Sequence, residues 1–408
     1  MGVKGLLPII KNFAPSSIKK KEFKDYIGTV QALDAPIIIY KFTIATINTD
    51  MNKNGHLHAC FFKSRSLLGY GMIPLWVFDG PPPEIKKQTL IDRRKFKESA
   101  LYKISNTNLS NNEKYKLIKN SITVNIKQLE EVKFLISLLG LPYIESPEEA
   151  EAQCAALNIA NVSNGVVTED WDALLFGCKI MLKDFSNKTI VTEINGEELL
   201  RSLAITREQL IDLATILGND YCHGIGGLKP IDAFIKFKEH DCNMTLFLEY
   251  INNENNNYGY FKYKIPEKFN QQWLEAREYY LHAPVINPKN IKPIWKKPNY
   301  VELEKYLIEV KKFNREEIMN KIMELRLMYD KYILNGNELV TFTRIKNELK
   351  NSHSCEFVCD NESGSFSNNP IMSLINIKNQ KNIANVINPK NLHNIFLEMI
   401  NEVIPIKG

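Results

Sequence analysis

The chain contains no uninterrupted apolar run that approaches the roughly 20 residues needed for a membrane-spanning helix. Its first residues, 1–6, lack the apolar core of a signal peptide, and Leu6 stands where a myristoylation signal requires Ser or Thr. The seven cysteines are scattered and odd in number, which is typical of free thiols in a reducing compartment. These absences predict a soluble, intracellular protein without a membrane partner. A zinc site at His353, Cys355 and Cys359 is a weaker alternative for part of the cysteine content.

The chain also has only a small excess of charge of one sign. It contains 52 Lys and Arg residues and 47 Asp and Glu residues, which give a formal net charge of +5. This balance is compatible with a nucleic-acid partner but does not by itself favour one. The length of 408 residues favours one large domain with an appendage. Function therefore has to be inferred from local patterns.

Aspartates follow three short apolar runs that read as buried strands. Asp34 directly follows residues 29–33, and Asp79 directly follows residues 73–78. Asp170 directly follows residues 166–169, with Asp172 two positions later. The alternation of such runs with helical patterns predicts an α/β fold with a mostly parallel sheet flanked by helices. In such a sheet the strand ends share one edge, where α/β folds bind ligands. We therefore expect these aspartates to converge on one cleft.

Helical patterns fill most of the remaining chain. Residues 84–140 form a lysine-rich helical insertion with a polar break at 106–112 and an amphipathic second half. Residues 207–238 read as two helices separated by a glycine-rich turn at 224–230. The asparagine-rich stretch 252–257 predicts a loop, and helical sequence resumes from 271 to about 334. Residues 361–370 predict a flexible linker in a divergent tail, 335–408.

Acidic residues carry the predicted chemistry. The candidate set is Asp34, Asp79, Glu149, Glu151, Asp170, Asp172 and Asp220. Phosphodiester hydrolysis by hard divalent cations needs several carboxylates, and this many unneutralised acids in one place imply the ions. Structural alternatives exist for single members: a strand-end Asp is often a turn residue, Asp220 could close a loop, and Glu149 could be the capping-box acid behind Ser146. On a regular helix Glu149 and Glu151 point about 200° apart, so they can share a site only at its first turn.

Six sequence motifs resemble the flap endonuclease family of XPG-type structure-specific 5′ nucleases. They are residues 1–7 (MGVKGLL), 33–35 (LDA), 77–83 (VFDGPPP), 146–154 (SPEEAEAQC), 168–172 (TEDWD) and 217–221 (LGNDY). The resemblance extends from Met1 to about Leu334. It implies a PIN-like nuclease fold in which residues 1–105 form the N-terminal nuclease region, 106–250 the internal region and 251–334 the helical end of the core.

The resemblance implies a DNA endonuclease that cleaves 5′ flaps near single-strand/duplex junctions, with 5′–3′ exonuclease activity, in replication and repair. Two Mg²⁺ ions are implied, for which Mn²⁺ can substitute. One ion would lie at Asp79, Glu149 and Glu151, and the second at Asp170 and Asp172. Asp34 and Asp220 would act largely through water. A 5′–3′ exonuclease or a junction resolvase of the same superfamily remains an alternative, as does a catalytically dead DNA-binding relative.

The basic insertion resembles the family's helical arch, through which a 5′ single strand passes. Lys86 and Arg93 fall where the family places catalytic basic residues, with Arg94 and Lys97 expected to bind DNA. The resemblance also assigns DNA contacts to Gly2 and to Tyr40, which matches a base-stacking tyrosine. The structural alternatives are a solvated helix face for the charges and a core position for Tyr40.

The turn at 224–230 resembles the family's helix–two-turn–helix, which holds a duplex phosphate with the help of a monovalent cation such as K⁺. Gly224, Gly226, Gly227 and Lys229 are the expected DNA-binding positions. The family motif is Gly-Ile-Gly-Pro followed by two basic residues. This chain instead has Gly227-Leu228-Lys229-Pro230 followed by Ile231 and Asp232. These departures count against the phosphate contact and the K⁺ site.

Branched DNA with a 5′ flap is the implied partner, and a monomer is expected. No Gln-x-x-[Leu/Ile/Met]-x-x-aromatic-aromatic motif of the kind that binds sliding clamps occurs in the chain. The sequence therefore does not favour a clamp partner. The implied location is the nucleus or another site of DNA replication.

Overall fold

The computed structural model describes residues 2–45, 54–106, 110, 113, 116–118, 121, 124–185, 190–258 and 262–332. The zinc alternative, the linker at 361–370 and the tail from 335 lie outside these residues. None of the described helices is long and apolar enough to cross a membrane.

A seven-stranded, mostly parallel sheet forms the centre of the described structure, which confirms the predicted fold class. The strands are β1 (Ile18–Glu22), β2 (Val30–Asp34), β3 (Ile73–Phe78), β4 (Tyr143–Glu145), β5 (Gly165–Val167), β6 (Ile180–Lys183) and β7 (Ile190–Asn195). Their order is β1-β7-β6-β5-β2-β3-β4. Strands β2 to β6 run parallel, whereas β7 pairs antiparallel with both β6 and β1. The lysine-rich β1 thus forms one edge, where charged side chains oppose pairing with another sheet.

Helices cover the sheet and extend beyond it. They are α1 (Leu6–Phe13), α2 (Ala35–Ala45), α3 (Gly55–Gly69), α4 (Lys87–Asn106), α5 (Ile126–Leu138), α6 (Ala150–Ile159), α7 (Asp172–Leu175), α8 (Gly196–Leu203), α9 (Arg207–Leu217), α10 (Pro230–Glu239), α11 (Met244–Tyr258), α12 (Phe269–His282), α13 (Tyr300–Glu304) and α14 (Arg315–Tyr332). A π-helical turn, Lys305–Val310, follows α13.

The two faces of the sheet have separate hydrophobic partners because strand side chains alternate. Ala32 and Val77 point into the larger core that includes α1, α6 and α9. Trp76 points to the opposite face, where its indole N–H donates to Ser64 Oγ of α3 at 3.1 Å. Asp34 and Asp79 follow Ala32 and Val77 by two residues, so the alternation directs them toward the α6 face.

The predicted amphipathic helix before Gly140 is present as α5, with Val132, Leu135 and Ile136 buried. Ile126 is 80% exposed because it is the first residue of the helix, before the packed region begins.

The loop predicted at 252–257 was wrong, because these residues are part of α11. Each Asn costs a helix only a few tenths of a kcal/mol, so tertiary contacts can override the preference. Asn255 makes such contacts: its amide nitrogen donates to the Tyr263 carbonyl at 2.9 Å, and its oxygen accepts from the Tyr263 N–H at 2.8 Å. The asparagine therefore joins the helix to the following segment.

Candidate active site

The carboxyl end of β2 places Asp34 at the centre of the acidic cluster. Asp34 is fully buried and accepts hydrogen bonds from the Thr168 hydroxyl at 2.6 Å and from the Ile37 N–H at 3.3 Å. Thr168 lies just after β5, which is paired with β2. Its hydroxyl also accepts the Asp170 N–H at 3.0 Å, so one threonine fixes the relation between two strand ends.

The pairing of β3 with β4 brings Asp79 to the start of α6. Phe78 lies opposite Glu145, and the Ser146 N–H continues the ladder by donating to the Phe78 carbonyl at 2.9 Å. The chain then turns, and the Ala150 N–H donates to Asp79 Oδ1 at 2.8 Å. Asp79 thus occupies the N-terminal end of α6, where the free N–H groups of a helix favour a carboxylate.

Glu149 and Glu151 share the cluster because only one of them lies within the helix. Glu149 is the N-cap residue of α6, with an extended backbone and no side-chain cap hydrogen bond, and Glu151 lies in the first turn. The Ser146 hydroxyl donates to the Phe78 and Glu148 carbonyls. The capping-box alternative for Ser146 and Glu149 is therefore not realised.

Asp170 and Asp172 lie at the end of β5 and the start of α7, and both are about 5% exposed. The Asp172 N–H donates to Asp170 Oδ1 at 3.2 Å, and the Tyr280 hydroxyl of α12 donates to Asp172 Oδ2 at 2.9 Å. Gly2 has a φ of 76°, and a Cβ at this position would overlap the carboxylates of both aspartates. Only glycine allows the N-terminal segment to approach them this closely.

Asp220 joins the cluster from the loop after α9. The Asn219 side-chain oxygen accepts the N–H groups of Tyr221 and Cys222 at 2.9 and 2.8 Å, which forms a tight turn around Asp220. The Thr89 hydroxyl of α4 donates to the Asp220 carbonyl at 2.5 Å. Asp220 is therefore held between this turn and the base of the basic insertion.

Lys86 and Arg93 form ion pairs with two of these acids, Glu149 and Asp220. The Lys86 ammonium lies 2.6 Å from Glu149 Oε2 and 3.3 Å from Asp220 Oδ2, and its side chain is 14% exposed. The Arg93 guanidinium donates to both oxygens of Asp220, at 2.7 and 2.8 Å. Two cations from the insertion thus neutralise part of the cluster.

Burial and the remaining charge repulsion shift the pKa values of the acidic residues. Burial, reinforced by the charges of Asp79 and Asp170, raises the pKa of Asp34 to about 8. Burial raises the pKa of Glu151 and of Asp172 well above the usual range, and neighbouring carboxylates add to both shifts. Burial also acts to raise the pKa of Asp220, but Lys86 and Arg93 outweigh it and the pKa is lowered. Mutual electrostatic effects therefore connect all seven predicted carboxylates.

The donor set suits hard divalent cations, which prefer carboxylate oxygens. Asp172 Oδ1 is buried without a hydrogen-bond partner, and Lys86 supplies a positive charge between Glu149 and Asp220. Within the described ranges, no three Asp, Glu, His or Cys side chains already have the arrangement of a metal site. The chemistry of the residues fits divalent metal ions, with Lys86 and Arg93 holding part of the charge.

A cleft of about 1040 Å³ opens above the cluster, under the base of α4. Its acidic floor includes Asp79, Glu151, Asp170 and Asp220, and its basic wall includes Lys86, Arg93, Arg94 and Lys97. Tyr40 of α2 and Phe96 of α4 add aromatic faces, and Phe96 is 57% exposed. The cleft therefore combines sites for cations, phosphates and flat rings.

The predicted helix–turn–helix consists of α9, the turn at 224–230 and α10. The Gly226 N–H and carbonyl form two hydrogen bonds with Lys264, each of 2.9 Å, so this amide is already engaged. Gly227 has a φ of 87° and lies so close to the Lys262 carbonyl that a Cβ would be only 2.5 Å away. Lys229 is the exposed N-cap residue of α10, and Gly224 packs on the end of α9.

Sequence reasoning missed Thr168, Thr89, Phe96 and Tyr280. Thr168 lies within the motif at 168–172, so its position beside two acids was a usable signal. Tyr280 is 108 residues from Asp172 in the chain, and nothing in its local sequence distinguishes it from a core tyrosine. Phe96 lies within a basic run at 93–97 of the sequence. An aromatic residue among cationic residues was an available signal for a binding position.

Comparisons with known proteins match the segments that carry the acidic residues of the cluster. Residues 1–100 match the XPG N-terminal domain and residues 140–220 match the XPG I-region. Flap endonuclease 1 of Plasmodium yoelii yoelii is 34% identical over 368 residues, covering 84% of this chain and 74% of that protein. Flap endonuclease 1 of Homo sapiens is 32% identical over 340 residues, covering 80% of this chain and 86% of that protein. The catalytic core of Rad2 in complex with DNA substrate has a TM-score of 0.65 and 25% identity, covering 79% of this chain and 100% of that one.

Proposed function

The chain belongs to the flap endonuclease family of the XPG superfamily, and on that premise we propose that its acidic cleft hydrolyses DNA at the base of 5′ flaps. It is a structure-specific nuclease acting on phosphodiester bonds, and we assign it 5′–3′ exonuclease activity and a role in DNA replication and repair. The observation that carries the proposal is the convergence of seven carboxylates beneath the basic residues Lys86 and Arg93. That combination suits metal-assisted attack on a phosphate anion.

The carboxylates would hold two divalent cations, Mg²⁺ or Mn²⁺. We assign Asp79, Glu149 and Glu151 to one ion, and Asp170 and Asp172 to the other. Asp34 and Asp220 would contribute through water. When bound, such ions activate a water molecule and stabilise the leaving oxygen of an in-line displacement.

Lys86 and Arg93 would bind the scissile phosphate once metal ions neutralise the carboxylates they now contact. Both lie at the base of α4, directly above Asp220. Positive charge fixed at this point stabilises the additional negative charge of the transition state, an effect typically worth 10²- to 10³-fold per donor in rate. Removing either side chain should therefore lower kcat more than it weakens DNA binding.

Tyr40 and Phe96 would stack on unpaired bases next to the scissile phosphate. They line the cleft from opposite elements, α2 and α4, and Arg94 and Lys97 line the same wall. Aromatic faces with neighbouring cations are the arrangement that binds single strands without sequence preference. This arrangement favours a substrate with an unpaired 5′ strand.

The proposed partner is branched DNA bound by a monomer at a site of DNA replication such as the nucleus. A sliding-clamp partner is not part of this proposal, since no clamp-binding motif was found in the sequence.

The test is cleavage of a labelled double-flap DNA by the purified full-length chain with Mg²⁺, beside nicked and four-way-junction DNA. We expect a dominant product at the base of the 5′ flap that disappears in EDTA. Asp172→Ala should abolish this product and leave DNA binding largely intact, because Asp172 is a buried member of the acidic cluster and is not among the residues that line the cleft. Ladder products from nicks with the flap ignored would identify an exonuclease instead, and retained turnover by Asp172→Ala would contradict the metal assignment.

A further inference from the structure

Tyr280 of α12 brings one polar atom of a buried aromatic side chain into contact with the acidic cluster. The residue is 1% exposed, and its hydroxyl donates to Asp172 Oδ2 at 2.9 Å. A phenylalanine would fill the same space except for this one oxygen. Because a hydroxyl that is buried without a partner costs free energy, the Tyr280 hydroxyl depends on its hydrogen bond to Asp172.

Asp172 also depends on this hydrogen bond. Among the residues that the structure describes, the Tyr280 hydroxyl is the only hydrogen-bond donor to the Asp172 carboxylate. The other oxygen, Asp172 Oδ1, is buried without a partner. A Cβ at Gly2 would overlap both this oxygen and Asp170 Oδ1, so the two oxygens border the same point. The protein thus holds one oxygen of Asp172 and leaves the other beside Asp170.

Aromatic packing fixes the ring that carries the hydroxyl. The centroid of the Tyr280 ring lies 4.9 Å from that of Phe176 and 5.0 Å from that of Tyr221. Phe176 directly follows α7, the short helix that begins with Asp172. Tyr221 directly follows Asp220, so both ring partners belong to segments that carry acids of the cluster. The ring therefore has little freedom to turn its hydroxyl away from Asp172.

Arg207 of α9 connects the backbone of Tyr280 to the same short helix. Its Nη2 donates to the Tyr280 carbonyl at 2.6 Å, and its Nε donates to the Leu175 carbonyl, at the end of α7, at 2.8 Å. Because the N–H donors of a guanidinium lie in one rigid plane, these two hydrogen bonds set the distance between α12 and α7. The backbones that carry Tyr280 and Asp172 are thereby held in a fixed relation.

We propose that Tyr280 is a positioning residue for Asp172. By holding Oδ2, its hydroxyl orients the carboxylate so that Oδ1 stays available to a divalent cation shared with Asp170. Loss of a hydrogen bond to a metal-ligating carboxylate typically costs about 10- to 100-fold in metal affinity or activity. This inference rests on the proposed nuclease function, which assigns Asp170 and Asp172 to one metal ion.

The test measures metal binding directly, with Mn²⁺ as the probe and without DNA. The full-length wild type, Tyr280→Phe and Asp172→Ala are titrated with Mn²⁺, and the free ion is followed by electron paramagnetic resonance. Asp172→Ala identifies the site that depends on Asp172, since binding there should be abolished. We expect Tyr280→Phe to keep the wild-type number of sites and to bind Mn²⁺ about 10- to 100-fold more weakly at that site only.

A matched variant separates orientation of the carboxylate from packing of the helix. Tyr279→Phe removes the hydroxyl of the preceding residue of α12, whose ring also contacts Tyr221 and which, within the described residues, forms no hydrogen bond with Asp172. It should leave Mn²⁺ binding unchanged, and circular dichroism in EDTA should show the wild-type spectrum for both tyrosine variants. Wild-type Mn²⁺ affinity in Tyr280→Phe, or equal weakening in Tyr279→Phe, would overturn the proposal.

Cleavage of double-flap DNA gives a second readout. At subsaturating Mg²⁺, Tyr280→Phe should cleave more slowly than the wild type, and raising the Mg²⁺ concentration should restore the rate, because the lost hydrogen bond weakens metal binding and not the fold. A rate that stays low in saturating Mg²⁺ would contradict this role. If the wild type binds Mn²⁺ but does not cleave the flap, the flap assignment fails and this inference stands. If the wild type cleaves the flap and Tyr280→Phe binds Mn²⁺ equally well, this inference alone fails.

Discussion

Lys86 offers the sharpest perturbation, because its stabilising effect should depend on whether divalent metal is present. Its ammonium lies between Glu149 and Asp220, whose side chains are 8% and 13% exposed. Lys86→Met keeps most of the aliphatic volume and removes the charge. Without metal, the two carboxylates then lose a buried partner, a change that typically costs 3–5 kcal/mol.

The expected size of the effect follows from the described structure. Because the carboxylates can partly relieve the loss by binding protons, we take the lower limit, about 3 kcal/mol. The described core of more than 300 residues unfolds with an entropy of about 0.7 kcal/mol/K, so Tm in EDTA should fall by about 4 °C. In saturating Mg²⁺ the ions neutralise the same carboxylates in both proteins, and the difference should shrink to less than about 1.5 °C.

Thermal unfolding by calorimetry or circular dichroism in EDTA and in Mg²⁺ measures this difference. Lys87→Met is the matched control, since Lys87 is the next residue but is 68% exposed and, among the described residues, forms an ion pair only with Glu84 on the surface. It should leave Tm unchanged in both buffers. An equal fall in Tm for Lys86→Met with and without Mg²⁺, or a comparable fall for Lys87→Met, would refute the view that Lys86 and metal ions neutralise the same acids.

Two other predictions concern single-strand binding and pH. Phe96→Ala should weaken binding of flapped DNA in EDTA by about 1–3 kcal/mol, the usual effect of losing one stacked base. Tyr102→Ala, on the same helix but outside the cleft and 70% exposed, should not, and equal losses by anisotropy would argue for a general effect on α4. Burial lowers the pKa of His56 below its ordinary value even though Glu131 opposes the shift. Folding therefore disfavours protonation of His56, and stability is lost as the pH falls below about 6.5. His56→Gln should reduce the difference in Tm between pH 5.5 and pH 7.5, and an unchanged difference would contradict this role.

The strand-end aspartates were predictable from the sequence because two local rules act together. Apolar runs of five or six residues define β2 and β3, and parallel pairing places the residues that follow them at one edge. Neither rule depends on distant parts of the chain. The convergence of Asp34 and Asp79 could therefore be inferred before any coordinates.

Other features depended on contacts between distant segments and could not be inferred. The separation of Glu149 and Glu151 on a helical wheel was an obstacle until the structure placed Glu149 before the helix as its N-cap. The helix at 252–257 is favoured by hydrogen bonds between Asn255 and Tyr263. Helix propensities of single residues do not include such contacts. Lys264 appears in the sequence as an ordinary lysine, and only the bridge to Gly226 places it at the turn.

The contacts of Lys86 and Arg93 indicate how one pair of cations can both hold α4 against the acidic cluster and bind a substrate phosphate. In the structure they hold the base of α4 against Glu149 and Asp220, together with the Thr89 hydroxyl on the Asp220 carbonyl. Positive ions at the carboxylates would weaken these pairs, since both compete for the same oxygens. The released cations would then be available to a phosphate entering the cleft. Metal binding would thus prepare the basic wall for substrate without any additional residue, and for this reason the dependence of the Lys86→Met defect on Mg²⁺ bears on catalysis as well as on stability.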